Sequence, residues 1–378
     1  MKSVRLMAVG ATLTLAGLTA APVHADTPTA ASILRSGAQK GIADGYPGVI
    51  GLVRSGDSAQ YVSAGTGDTA TKVPADPQAQ FRMGSNTKAF IATVLLQLEA
   101  EGRLSLDDSV ARWLPGAVDA NGYDGSRITL RQLLNHTSGL PDFVHDTSFC
   151  NSYASNREPG RAWPPQTLVD LGLALRRPSA EPGDKWAYSN TNYVLAGMVI
   201  KAVTGNDPAL EVTRRIIEPL GLRNTFFPTT DPALRGDHLH GYAYGWLGMV
   251  LTDVTVSNVQ AMGSAGAMVS TLDDLATFTR ALLGGRLLPP AQEAELRTTV
   301  ATGSGDIRYG LGISRFQLPC GQWVWSHNGA VLGYFSTWYA DDDGSKQVLE
   351  ANTEYHLQAP TRGQTDTDKG MRDAFCAL

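Results

Sequence analysis

The chain has 378 residues, a formal net charge of −5, 18% charged and 43% hydrophobic side chains, and 40 glycines. That balance excludes a disordered polyelectrolyte, which carries more charge and fewer apolar groups. Its mild acidity also argues against nucleic acid or anionic lipid as the main partner, since both select clustered positive charge.

Taken in order, the chain opens with Lys2 and Arg5, an apolar run over residues 6–21 and the small-residue site Val23-His24-Ala25. This is the pattern of a secretory signal cut after Ala25. The run is too short to span a bilayer comfortably, and no later stretch is long and apolar enough. An extracellular or periplasmic protein without membrane insertion is therefore expected. Loss of Lys2 and Arg5 would take the formal charge from −5 to −7.

Residues 26–39 have helical spacing, and residues 47–54 and 59–65 read as a hairpin turning at Ser55-Gly-Asp57. Residues 89–98 are apolar nearly all round, so that helix should be buried. Between 104 and 250, helical patterns at 130–134, 168–175 and 193–203 are separated by turn residues. Residues 270–283 form an amphipathic helix capped by Ser270 or Thr271, with Asp273 and Asp274 in its first turn. Strand patterns follow at 309–316, 322–339 (interrupted near 329–333) and 346–351, and residues 367–377 read as a closing helix. The expected organisation is an α/β lobe from residues 26–103 and 251–378, with a mainly helical lobe, 104–250, inserted.

Three short motifs carry chemistry. Ser85-x-x-Lys88 sits at the start of the buried helix. One helical turn separates hydroxyl and amine, so both point the same way. A desolvated lysine has a lowered pKa and can take the serine proton. Tyr188-Ser-Asn190 precedes the helix near 193, and His327-Asn328-Gly329 lies within a strand pattern. His136 is assigned to loop organisation. His238-x-His240 lacks a third clustered ligand, so no metal site is expected. The spacing of Cys150, Cys320 and Cys376 does not fix a pairing.

With Leu133-Leu-Asn-His-Thr-Ser-Gly-Leu-Pro-Asp142, Gly263-Ser-Ala-Gly-Ala267 and Tyr309-Gly-Leu-Gly312 in the same order, the chain resembles the penicillin-recognising serine hydrolases. The branch is that of class C β-lactamases, secreted serine DD-carboxypeptidases and related esterases. The resemblance covers nearly all of the chain after residue 25. It implies a β-lactamase-like antiparallel sheet flanked by helices, no cofactor, and a monomer acting on a small peptide, ester or β-lactam, with cell-wall peptidoglycan as a partner. It also implies that Ser85 is acylated, Lys88 takes its proton, Tyr188 relays a proton to the leaving group, and His327 supports Tyr188 electrostatically. Asn190, Asn328, Gly329 and Ala330 would bind substrate, with the Ser85 and Ala330 amides as the oxyanion hole. The resemblance further suggests a Cys320–Cys376 disulfide.

One departure stands out. The DD-carboxypeptidases this chain resembles grip the substrate's terminal carboxylate with hydroxyls beyond the histidine and an arginine on the neighbouring strand, a bidentate task suited to arginine. Here those positions hold Asn328, Ala330 and Ser314, while strand alternation sends Arg315 to the opposite face. The first expectation is D-alanyl-D-alanine carboxypeptidase-like activity. The alternatives are an esterase or D-amino-acid amidase or peptidase, then a β-lactamase, with a non-catalytic β-lactam or muropeptide binder as the rival class.

Overall fold

A hairpin begins the sheet: β1 (Gly48–Ser55) and β2 (Ser58–Asp68) pair up to Ser55–Ser58, with Gly56 at φ +58 in the turn. The computed structural model describes residues 28–244, 250–355 and 362–378; the expected signal peptide lies outside the described residues. β3 (Val73–Pro74) adds to β2, and β4 (Phe81–Arg82) leads away toward the central helix. β5 (Tyr242–Tyr244) and β6 (Leu251–Asp253) make a separate small hairpin, and β7 (Val269–Ser270) pairs with β4. The C-terminal region supplies β8 (Val300–Ala301), β9 (Arg308–Tyr309), β10 (Ser314–Gln317), β11 (Trp323–Val331), β12 (Tyr334–Ala340) and β13 (Lys346–Asn352).

These form one nine-stranded sheet in the order β3-β2-β1-β13-β12-β11-β10-β9-β8. Every pairing is antiparallel, and β1 bonds directly to β13, so the two ends of the chain share one sheet. Helices cover both faces. On the outer face, Ala30–Ala43 and Arg362–Cys376 pack together closely: a Cβ at Gly37 would lie 2.9 Å from the Gly370 Cα. Cys320 is disulfide-bonded to Cys376, which ties that second helix to the turn between β10 and β11. On the inner face lies Thr87–Ala100, with eleven of its fourteen residues buried. It contacts Asn190–Thr204 of the mainly helical region.

The 309–316 strand pattern is broken in the structure. Gly312 takes φ +81, and a Cβ there would meet the Ala92 Cβ at 2.9 Å and the Lys88 carbonyl at 3.0 Å. The segment between β9 and β10 packs closely on the central helix, and the two short strands turn back to pair with each other, Ser314 opposite Tyr309.

Candidate active site

Ser85 sits in a single 3₁₀ turn, Gly84–Asn86, at the head of the central helix. Asn86 anchors this turn to the sheet. Its amide donates to the Met83 carbonyl and the Ser336 hydroxyl, and its oxygen accepts from the Trp338 indole. Two glycines let the turn lie directly on β11. A Cβ at Gly84 (φ +54) would come within 2.6 Å of the Ala330 nitrogen, and one at Gly329 within 1.9 Å of the Met83 carbonyl oxygen. The Ala330 amide is thereby held beside Ser85.

Lys88 follows one turn later and is fully buried. Its Nζ lies 3.0 Å from Ser85 Oγ, 2.7 Å from Asn190 Oδ1 and 2.7 Å from the Ala265 carbonyl. Burial holds this amine down to about 7, against the opposing pull of Asp142. Asn190 and Ala265 present only acceptors to it. A neutral amine therefore spends its two protons on them and turns its lone pair to the Ser85 hydroxyl.

Tyr188 completes the group, its hydroxyl donating to Ser85 Oγ at 2.7 Å. Burial raises its pKa, so it is a neutral donor rather than a resting phenolate. His136 holds it from behind. The His136 carbonyl accepts from the Ala187 amide, its Nδ1 accepts from the Ser189 amide, and the two rings lie 4.4 Å apart. His136 has φ +62 and is kept neutral by burial and by Lys88. The loop assignment for His136 thus acquires a specific content: it brackets Tyr188 on both sides.

His327 is held at both ring nitrogens. Its Nε2 bonds to the Tyr309 hydroxyl at 2.8 Å and its Nδ1 to the Asn328 carbonyl at 2.6 Å. Burial, helped by Lys88, lowers it to about 3, so it carries no charge near neutrality. Its influence on Tyr188 is that of a fixed dipole, not of a cation. Asn328 is exposed and lines the cleft with Tyr188 and His327.

Sequence reasoning gave no role to three participants. Asp142 accepts from Asn190 Nδ2 at 2.9 Å and so fixes which end of that amide faces Lys88. The Ala265 carbonyl and the Tyr309 hydroxyl are the others. All three lie within motifs quoted for the resemblance, and nothing but position in the fold reveals their contacts. Among the described residues no group of acidic, histidine and cysteine side chains has the arrangement of a metal site.

A family model described as Beta-lactamase matches residues 34–355. The chain belongs to this family of serine hydrolases. It is similar to penicillin-binding protein 4* of Bacillus subtilis, at 29% identity over 82% of this chain and 70% of that one. Among solved structures, a D-stereospecific amidohydrolase from Streptomyces sp. superposes with a TM-score of 0.81 at 39% identity, covering 86% of this chain and 94% of the other. The D-amino acid amidase of Ochrobactrum anthropi SV3 gives 0.80 at 26% identity over 92% and 98%. These neighbours share the mixed α/β architecture with its large antiparallel sheet.

Proposed function

We propose that this protein is a secreted serine hydrolase that cleaves amide bonds of D-aminoacyl substrates through an acyl-Ser85 intermediate. Neutral Lys88 takes the Ser85 proton as Oγ attacks the carbonyl carbon, and the Ser85 and Ala330 amides receive the developing oxyanion. Tyr188 passes a proton to the departing amine and regains one from Lys88. Water then enters, loses a proton to the same pair, and releases the acid.

The observation that carries the choice of substrate is that no carboxylate clamp stands among the described residues. The Arg308 guanidinium bonds to Thr299, and that of Arg315 faces Asp342. Among the described residues lining the cleft, the one guanidinium belongs to Arg372, paired with Asp368. Among the described residues a terminal carboxylate would find no cationic partner beside His327, whereas an amide or amine leaving group needs none. The names of the two structural neighbours support the same class. Export is supported by the signal-like pattern of residues 1–25 and agrees with the Cys320–Cys376 bond.

The test compares D- and L-phenylalanine amide with an acyl-D-alanyl-D-alanine, using Ser85→Ala as control. Turnover of the D-amide above the other two is expected. Faster release of D-alanine from the acyl dipeptide would return the carboxypeptidase reading, and activity retained by Ser85→Ala would remove the acyl-enzyme.

A further inference from the structure

A cleft opens beside Tyr188 and His327. It has a volume of about 730 Å³ and runs from Tyr188 and His327 over the edge of β11 to the outer face of the sheet, beneath the helix Arg362–Cys376. The edge is open there because the β10 pairing with β11 stops at Ser314–Ser326, one residue before His327.

Most of the outer face near this helix is apolar, built on Val324, Tyr339, Val348, Met371 and Phe375. Ser326 and Asn352 also face this side, and one row between them is polar on all three strands. Asn328, Thr337 and Glu350 stand directly opposite one another on β11, β12 and β13, and all three line the cleft. Strand alternation puts them on the face away from Ser336 and Trp338, which serve the nucleophile turn. Thr337 is 7% and Glu350 2% exposed. The Thr367 hydroxyl reaches the Glu350 carboxyl from the helix above, but Glu350 Oε2 has no partner. An unsatisfied buried carboxyl oxygen costs free energy that an apolar side chain in an apolar layer would not. The Thr367 contact accounts for one Glu350 oxygen and leaves the other without a partner.

We propose that the row Asn328–Thr337–Glu350 is a subsite for the departing part of the substrate, and that it takes a peptide leaving group extended beyond the scissile bond. This rests on the amide-hydrolase reading above. Asn328 stands where the related carboxypeptidases grip a chain end, and here the polar surface continues instead of closing. Two strand spacings carry the row about 10 Å inward, the reach of roughly three residues of extended chain. Burial pushes Glu350 up to about 8, so at neutral pH it is a carboxylic acid with one donor and one acceptor. Its unpartnered Oε2 can donate to the C=O of a peptide group or accept from its N–H. The neighbouring Asp368 is occupied, pairing with Arg372 and accepting from Tyr339.

The experiment measures kcat/KM on D-phenylalanine amide and on a peptide with the same D-phenylalanine first, three further residues and an amidated end. The wild type is expected to favour the extended peptide by about tenfold, the scale of one or two added hydrogen bonds. Glu350→Gln and Thr337→Val, each near-isosteric, should each bring that ratio toward one. Two variants are used because either alone decides if the other fails to fold. A wild-type ratio near one, or variants that keep the wild-type preference, would overturn the subsite while leaving amide hydrolysis intact. Hydrolysis of neither compound by the wild type would remove the amide-hydrolase reading and the subsite with it.

Discussion

Lys88 Nζ lies 2.7 Å from the amide oxygen of Asn190, and that amide cannot turn over freely because its nitrogen donates to Asp142. The lysine therefore meets an acceptor by construction, and its free lone pair is left for Ser85.

The first expectation concerns pH. The groups facing Lys88 are Asp142, Tyr188, Tyr193, His136 and His327. Both histidines are held low and both tyrosines high, so neither type titrates near neutrality. The base must be deprotonated to act. Below its value of about 7, log kcat/KM should fall with a slope of one, and above it should level. A pH–rate profile from pH 5 to 9 on an amide substrate checks this; a flat profile down to pH 5.5 would exclude the amine as base.

Asp142→Asn tests the orientation. The new amide can set a donor against the Asn190 donor and allow that side chain to turn. We expect kcat to fall roughly 10²-fold, the usual cost of a small displacement of reacting groups. Removing the negative charge also disfavours the protonated amine, so the acid limb should move to lower pH. An unmoved limb would mean that Asp142 only packs.

Tyr188→Phe keeps the ring against His136 and deletes the hydroxyl that touches Ser85. A loss of about 10²–10⁴-fold in acylation rate is expected, with an unchanged unfolding midpoint. Intact-protein mass against time with a simple penicillin gives the acylation rate. A rate equal to wild type would take Tyr188 out of proton transfer.

Gly329→Ala should act on fold and chemistry together. Its Cβ would fall 1.9 Å from the Met83 carbonyl oxygen, and both partners are main chain. β11 must move off the nucleophile turn, which we expect to cost about 3 kcal/mol, the upper range for overpacking. Chemical denaturation alongside acylation kinetics would show both losses; wild-type values for both would mean that the strand has room to spare.

Much of this was legible in the sequence because the signals were local. The first hairpin, the all-apolar central helix and the closing helix follow from period and turn chemistry, and each motif names a side chain fixed by its own backbone. What was not legible depends on pairing across the chain. The break at Gly312 comes from contact with Ala92, two hundred residues earlier, and not from any weakness in its own pattern. The partner of His327 depends on where β9 brings Tyr309, and the bond from Asn190 to Asp142 joins a helix start to a distant turn. No periodicity reports such distances. The polar row across β11, β12 and β13 is likewise invisible until the register aligns it.

Cys150 offers a practical consequence. The other two cysteines are bonded to each other, and this one is free and exposed on the helix Thr147–Ser155. One turn later on that helix, the Tyr153 hydroxyl accepts from the amide of Leu332, just past the end of β11. A thiol-reactive fluorophore would thus attach at a single place, one hydrogen bond removed from the strand that carries Ala330. A change in its emission on adding substrate would report movement of that strand, with no residue near Ser85 altered.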